Sequence, residues 1–305
     1  MQFHAEQCFV PDFKPECGFC VFAHEGGVLL LPAMRGVVPG PAWWAEDGVH
    51  FVEVPIDGSA IGLQPEPLVD ALNDHHWATD VSADGRAFFR HEHRIVSVSI
   101  GPCVAFEPVP YQSPVEWKFN LQDLTVDEAG TWWASGHASN DEIIGQIFTS
   151  RDAVTWQQVP SKIEGSVKRL IEAGGKMHGL HYKHVSIVTA DGATKLVSMK
   201  DHIEHAILTP SITVGLGNGF IGVLPAGAKR CTYVVPPSGG GRFHMAAVPG
   251  GGFVSGGSNG LWSSPDAKVW APVPSFTGSA VAIVPSSSGA IVVNNQREVY
   301  VVRGS

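Results

Sequence analysis

Residues 259–274 read NGLWSSPDAKVWAPVP, and residues 145–160 read GQIFTSRDAVTWQQVP. Each stretch predicts a strand, a tight Ser-x-Asp-Ala turn, and a second strand that carries a tryptophan and ends in Val-Pro. The two stretches therefore describe one hairpin that is repeated within the chain. The aligned positions are Ser150 with Ser264, Asp152 with Asp266, Ala153 with Ala267, and Trp156 with Trp270.

The chemistry of this repeated turn is local to the hairpin. An aspartate side chain accepts hydrogen bonds from the backbone N–H groups of its own turn, and a tryptophan packed across the hairpin buries a large apolar surface. Two weaker copies are AEDGVHFVEVP at residues 45–55 and TADGATKL at residues 189–196. We predict a structural role for Asp47, Ser150, Asp152, Trp156, Asp191, Ser264, Asp266 and Trp270.

The repeated turn resembles the Asp-box, Ser-x-Asp-Gly-x-x-Trp, of the BNR or sialidase-like β-propellers. Both clear copies have alanine where that family usually has glycine. The resemblance implies the architecture of a β-propeller and no particular activity. Sialidases of this family require an arginine triad whose first member lies in a Phe-Arg-Ile-Pro type of segment near the N-terminus. Arg35 lies in AMRGV instead, so sialidase activity is disfavoured.

A glycine-ended turn followed at once by an apolar run occurs seven times, at intervals of roughly 33 to 58 residues. We therefore expect an all-β chain that forms a single seven-bladed propeller domain over residues 1–305. The third blade is the clearest, with strands at 120–126, 131–136, 144–149 and 155–159. Residues 1–11 are expected to complete the last blade, formed by about 279–303, so that no edge stays open. The turn glycines are Gly27, Gly85, Gly130, Gly175, Gly219, Gly252 and Gly289.

Composition limits the classes of partner. With 44% hydrophobic residues and a formal net charge of −9, the chain has the core of a globular protein and little affinity for phosphates, so nucleic acid is a poor partner. The longest apolar run, near residues 28–31, is too short to cross a membrane. Five cysteines and no signal-peptide pattern at the start favour a reducing cytoplasm. We expect no cofactor and a monomer in the absence of its partner.

Long polar insertions predict a binding surface. In a propeller, the connections between blades share a face with the turns between second and third strands, and we call this the loop face. The insertions there are 33–40, 57–76, with a helix at 65–74, 111–117, 137–142 and 199–210. The residues predicted to bind are Asp57, Glu66, Asp70, Asp74, His75, His76, Trp117, His137, Asp141, Glu142, Asp201, His202, Glu204 and His205.

The histidines raise the alternative of a metal site. His75, His76, His202 and His205 share the predicted loop face, but zinc needs three or four ligands that converge, and the spacing does not show convergence. Cys17 and Cys20 form a lone Cys-x-x-Cys that enters a strand, so these thiols are expected to be inert. We predict no metal ion.

Two functions stay open at this point. On the loop face acids outnumber the bases Arg35 and Lys200, which favours a non-catalytic propeller that binds a second, basic protein, as a scaffold, inhibitor or immunity protein does. The alternative is a carbohydrate-active hydrolase or glycan-binding propeller with carboxylates in a central pocket, since many glycosidases need only two carboxylates. Sequence alone does not decide which carboxylates converge.

Overall fold

A computed structural model describes residues 2–12, 18–33, 41–57, 81–91, 94–115, 119–138, 145–161, 165–237 and 244–304. The named secondary-structure elements in those ranges are all β-strands. No helix that could cross a membrane is found among the described residues. The helix predicted at 65–74 lies outside the described residues. The strands are β1 (Phe3–Phe9), β2 (Gly18–His24), β3 (Gly27–Ala33), β4 (Ala42–Ala45), β5 (Val52–Val54), β6 (Ile56–Asp57), β7 (Arg86–His91), β8 (Arg94–Ser99), β9 (Val104–Pro108), β10 (Phe119–Val126), β11 (Trp132–Ala138), β12 (Gly145–Ser150), β13 (Trp156–Gln158), β14 (Val167–Ala173), β15 (Lys176–His181), β16 (His184–Thr189), β17 (Gly192–Ser198), β18 (Ile203–Leu208), β19 (Ile212–Gly217), β20 (Phe220–Pro225), β21 (Thr232–Val234), β22 (His244–Ala247), β23 (Phe253–Gly257), β24 (Gly260–Ser264), β25 (Ala271–Pro272), β26 (Ala280–Ser286), β27 (Gly289–Asn294) and β28 (Val299–Gly304).

The chain divides into two compact units. Unit 1 comprises residues 1–79, 98–107 and 234–305, and unit 2 comprises residues 80–97 and 108–233. Unit 1 contains the four-stranded sheets β1-β28-β27-β26, β2-β3-β4-β5 and β22-β23-β24-β25. Unit 2 contains β10-β11-β12-β13, β14-β15-β16-β17 and β18-β19-β20-β21. A seventh four-stranded sheet has the order β6-β9-β8-β7.

In unit 1 the N-terminal strand completes the sheet of the C-terminal strands. β1 pairs antiparallel with β28, from Phe3 opposite Gly304 to Phe9 opposite Val299. Phe3 and Ala5 are buried in the same hydrophobic cluster as Tyr300. The prediction that the chain start supplies the fourth strand of the last sheet is confirmed, with β1 covering residues 3–9.

In unit 2 the predicted third blade agrees with β10 to β13 to within two residues at each end. Its strand pairing shows why the two-residue alternation of buried and exposed side chains is interrupted in the first strands of the sheets. A β-bulge interrupts β10 between Leu121 and Asp123, and equivalent register shifts occur at the beginning of β14 and β18. The bulge in β10 also connects two sheets, because Asp123 Oδ2 accepts a hydrogen bond of 2.6 Å from the backbone N–H of Leu170 in β14.

Two expectations about individual elements are wrong. The segment 199–210 is expected from its polarity to be a loop, but Ile203–Leu208 is strand β18, whose alternation is hidden by its bulge. The turn at Gly219 precedes an apolar run as expected, and this run is β20, the third strand of its sheet. The second strand, β19, follows a turn without glycine. Asp57, expected in a loop, lies in β6, which pairs parallel to β9.

Candidate protein-binding site

The repeated hairpin turns have matching hydrogen bonds in the two clear copies. Asp152 Oδ1 accepts from the backbone N–H groups of Val154 at 2.9 Å and Thr155 at 2.7 Å, and from Ser150 Oγ at 2.8 Å. These bonds lower the pKa of Asp152 to about 2, the backbone bond from Thr155 having the largest effect. The Asp152 carboxylate thus holds its own turn together, and its Oδ2 accepts one further bond from Thr155 Oγ1 at 3.2 Å.

The second copy repeats this arrangement. Asp266 Oδ1 accepts from the N–H groups of Lys268 at 2.9 Å and Val269 at 3.2 Å, and from Ser264 Oγ at 3.2 Å. Burial is the largest single effect on the pKa of Asp266 and raises it, but the hydrogen bonds together outweigh burial and lower that pKa.

The weaker copies differ from each other. Asp47 binds the N–H groups of Val49 and His50 at 2.9 and 2.8 Å, and Gly48 has a φ of 75°. Asp191 is exposed at the turn between β16 and β17, and no hydrogen bond of its carboxylate is found within the described part of the chain. The aspartate of the fourth copy therefore does not organise its turn.

The hairpin tryptophans are less buried than a core role requires. Trp156 is half-buried, and its Nε1–H donates to the carbonyl of Gln112 at 2.8 Å while the edge of Tyr111 contacts its ring. Trp270 is also half-buried, and its Nε1 has no hydrogen-bond partner within the described residues. The expectation that each ring packs within a hairpin core is thus only partly met.

The predicted binding residues fall into two sets. Asp57, His137, Asp201, His202, Glu204 and His205 are described, whereas Glu66, Asp70, Asp74, His75, His76, Trp117, Asp141 and Glu142 lie outside the described residues. His137, expected in a loop, is in strand β11, where its Nε2 lies 3.4 Å from Asn120 Nδ2. Glu204 and His205 are in strand β18 rather than a loop.

Two of these residues, Asp201 and His202, belong to one group of side chains in unit 2. We call the group formed by Lys168, Tyr182, Lys183, Asp201 and His202 the Tyr182 cluster. Tyr182 and Lys183 form the turn between β15 and β16, and Asp201 and His202 lie in the connection from β17 to β18. Two backbone hydrogen bonds join these segments, from Met199 N–H to the Lys183 carbonyl at 2.7 Å and from Ile203 N–H to the Tyr182 carbonyl at 2.8 Å.

The rings of Tyr182 and His202 stack almost parallel, with centroids 4.4 Å apart and an interplanar angle of 9°. Lys168, on the neighbouring strand β14, places its ammonium against His202 Nε2 and 5.0 Å from the centroid of Tyr182. Since an ammonium only donates, His202 must accept at Nε2 and be neutral. Burial, followed by the charge of Lys168, lowers the pKa of His202, in agreement with this proton arrangement.

The charges of this cluster are mixed. Lys183 Nζ lies 3.7 Å from Asp201 Oδ1, and both side chains are more than half exposed. Burial lowers the pKa of Lys168, and the negative charge of Glu204 opposes that effect. Lys200, next to Asp201, lies over the rings of Phe220 and Tyr233 at 4.9 and 5.3 Å. The sequence prediction counted Lys200 but missed the lysines at 168 and 183.

Tyr182 and Lys183 could have been found from the sequence. They occupy a turn between second and third strands, which the propeller rule already assigns to the loop face with the connection at 199–202. The insertion is only two residues long, however, and a search for long polar insertions passes over it. The sequence does not indicate that Lys168 lies near this turn, because the position of Lys168 depends on the bulge at the start of β14.

The histidines do not form a metal centre in the described part of the chain, where no group of three potential ligands is found. His202 Nε2 faces the ammonium of Lys168 instead. His181 is buried, its Nε2 lies 2.8 Å from Ser186 Oγ, and its ring stacks on His184 with centroids 4.2 Å apart. Burial lowers the pKa of His181 to about 3, which keeps the imidazole neutral.

Two cavities formed by described residues of unit 2 lack the paired carboxylates that glycoside hydrolysis requires. A cavity of about 730 Å³ beside Pro160 and Gly192 has Asp191 as its only carboxylate, and a cavity of about 410 Å³ beside Trp133 has only Asp152. In unit 1, Tyr300 donates to Glu298 Oε2 at 2.8 Å, but Tyr300 is buried against Phe276. This tyrosine–glutamate pair therefore stabilises the core.

Comparisons with solved structures identify the fold. A catalytically inactive virginiamycin B lyase from Staphylococcus aureus with quinupristin matches over 100% of both chains, with a TM-score of 0.60 and 10% identity. YCF48 bound to D1 peptide matches over 100% of this chain and 96% of that chain, with a TM-score of 0.58 and 12% identity. BBS1N in complex with ARL6DN matches over 99% and 97%, with a TM-score of 0.57 and 8% identity.

The fold is a seven-bladed β-propeller. At these identities the likeness concerns the fold alone. No family model and no curated protein matches the sequence. The propeller part of the sequence prediction is thus confirmed, including closure by β1, and the Asp-box family has no support beyond the turns themselves.

Proposed function

We propose that this chain is a non-catalytic β-propeller that binds another protein through its loop face, with the Tyr182 cluster as one contact. The main support for the proposal is the stacked and partly exposed pair of Tyr182 and His202. Charges of both signs surround this pair, and backbone hydrogen bonds join the two segments that contain it. Exposed tyrosines on a rigid support are typical of binding surfaces between proteins.

Two of the similar structures support this class of function for the fold, since one is bound to a peptide and another to a protein. The similar lyase shows that the same fold also supports catalysis. For the hydrolase alternative we find no favourable observation, because each described cavity of unit 2 has a single carboxylate.

The charge of the partner is a finer part of the proposal. A basic partner is proposed for the acid-rich segments around 66–74 and 141–142. Among the described acids, Asp201 is already paired with Lys183, and Glu204 interacts with Lys168. Long-range attraction of a basic partner would thus come mainly from the other acidic segments.

Charge reversal tests this proposal on the complex. The tagged chain is purified with its partner, the stoichiometry is measured by light scattering, and association is followed at low and high salt. Reversal of Asp70 and Asp74 to lysine should slow association about tenfold at low salt and much less at high salt. Asp191→Lys, at an exposed turn, is the matched control. Absence of any stoichiometric protein partner would reject the proposed function.

A further inference from the structure

The Tyr182 cluster differs in charge from the loop face expected from the sequence. Its central cation is Lys168, whose ammonium contacts only neutral groups at close range, the ring nitrogen of His202 and the face of Tyr182. Within the described part of the chain no carboxylate oxygen lies within 4.0 Å of Lys168 Nζ. An ammonium has three donors, so capacity for an anionic acceptor remains.

Two more ammonium groups surround the same connection. Lys183 is paired with Asp201 at 3.7 Å, whereas Lys200 rests on Phe220 and Tyr233 and has no carboxylate within 4.0 Å among the described residues. Lys168 and Lys183 thus equal the acids Asp201 and Glu204 in number. Lys168 differs from Lys183 because it has no carboxylate within 4.0 Å among the described residues.

An exposed aromatic ring lies beside Lys168. Tyr182 is 48% exposed, although its ring is fixed by stacking on His202. A ring that is already ordered loses little side-chain entropy when a partner covers it. The cluster therefore offers an ammonium without a carboxylate partner next to one preorganised aromatic ring.

We propose that the Tyr182 cluster binds an acidic peptide segment of the partner protein, with a carboxylate at Lys168 and the adjoining residues packed on Tyr182. The inference rests on the proposed function, which it deepens by naming the chemistry of one contact. A polyanion such as nucleic acid is a poor occupant, because the strongly negative whole chain repels it and Lys168 offers only a single ammonium without a carboxylate partner.

Peptide display tests the inference directly. A phage library of random twelve-residue peptides is selected on the purified full chain, and the recovered peptides are sequenced. We expect enrichment of aspartate and glutamate. The best peptide and a version with its acids replaced by Asn or Gln are then synthesised, and their affinities are measured by fluorescence anisotropy.

Four variants locate the contact. Lys168→Gln and Tyr182→Ala should each weaken the acidic peptide about tenfold or more, as expected for loss of a charge-assisted hydrogen bond or an aromatic anchor. Lys229→Gln, at an exposed lysine in the turn after β20, should leave affinity unchanged. Thermal melting of each variant shows that the fold is retained, and Lys168→Arg should retain binding if the charge matters.

The outcomes separate the two proposals. Recovery of basic or neutral peptides, equal affinity of the neutralised peptide, or insensitivity to Lys168→Gln would overturn the inference while leaving protein binding intact. Recovery of no peptide would overturn it as well. Failure of the proposed function would instead appear as the absence of a partner in the purification described above.

Discussion

Ala153 and Ala267 have the same left-handed backbone, with φ angles of 59° and 60°, and neither side chain is exposed. Each alanine follows the aspartate of a repeated turn, at the position where Asp-box sequences usually have glycine. A left-handed alanine is strained, yet its methyl group fills a closed space. The two effects oppose each other at both turns.

Replacement of these alanines by glycine should therefore change stability little. Relief of about 1 kcal/mol of strain is offset by about 0.8 kcal/mol for the lost buried methyl group. Valine should instead cost at least about 2 kcal/mol, because a β-branched side chain tolerates neither the φ angle nor the closed space. Urea unfolding of Ala153→Gly and Ala153→Val measures both, and equal midpoints for the two variants would contradict this account.

The stabilisation that each turn aspartate provides should increase with the number of hydrogen bonds that its carboxylate accepts. Asp152→Ala removes an acceptor of four bonds and Asp266→Ala an acceptor of three, so we expect melting temperatures lower by about 2 to 5 °C. Asp191→Ala, which removes none found among the described residues, is the control and should melt like the parent chain. Equal effects at all three positions would show that the bonds do not stabilise the turns.

The closing strand should be essential for unit 1. Deletion of residues 1–9 removes the buried side chains of Phe3 and Ala5 and exposes the hydrogen-bonding edge of β28. We expect either loss of the cooperative melting transition or association through that edge. Light scattering and circular dichroism distinguish these results. Glu6→Ala, which loses only an exposed pair with Arg303, should have little effect, and a truncated monomer with unchanged melting would contradict the role of β1.

Buried His181 should make stability depend on pH. The unfolded chain binds a proton at this histidine near pH 6.5, whereas the folded chain does so near pH 3 because burial, His184 and Lys195 disfavour the charge and lower the pKa. The stabilisation is complete above pH 6.5 and is lost as pH falls toward 3, at up to about 1.4 kcal/mol per pH unit.

A double variant isolates this contribution to the pH dependence. His181→Leu with Ser186→Ala removes the imidazole together with the hydroxyl that contacts it, so that neither member of this buried polar pair is left without the other. Its stability, measured by urea unfolding at pH 7, 6, 5 and 4, should fall less steeply than that of the parent chain. His4→Gln, at an exposed position, should keep the parental slope. Parallel curves for the double variant and the parent would refute the role of His181.

The hairpins and the closure of the last blade could be predicted because the residue patterns that indicate them are local or recur along the chain. The strands β10 to β13 follow from turn residues and apolar runs, and β1 follows from the last blade, which is incomplete without residues 1–11. β18 was missed because a bulge between Ile203 and His205 places polar side chains where alternation requires apolar ones.

The binding site was predictable only in part. Asp201 and His202 are assigned to the loop face by the length and polarity of their segment, but the lysines that change its charge are not. Lys168 contacts His202 because the start of β14 lies next to the residues that directly precede β18. Such a contact between distant strands has no signal in local sequence.

The hydrogen bond from Leu170 N–H to Asp123 Oδ2 joins the first strands of two successive sheets. Asp123 directly follows the register shift of β10, and the residues that directly follow the shifts of β14 and β18 are Arg169 and His205. The register shift thus recurs while the side chain that uses it changes. An alignment of the blades by their hairpin turns alone would therefore not find the contact that joins these two sheets.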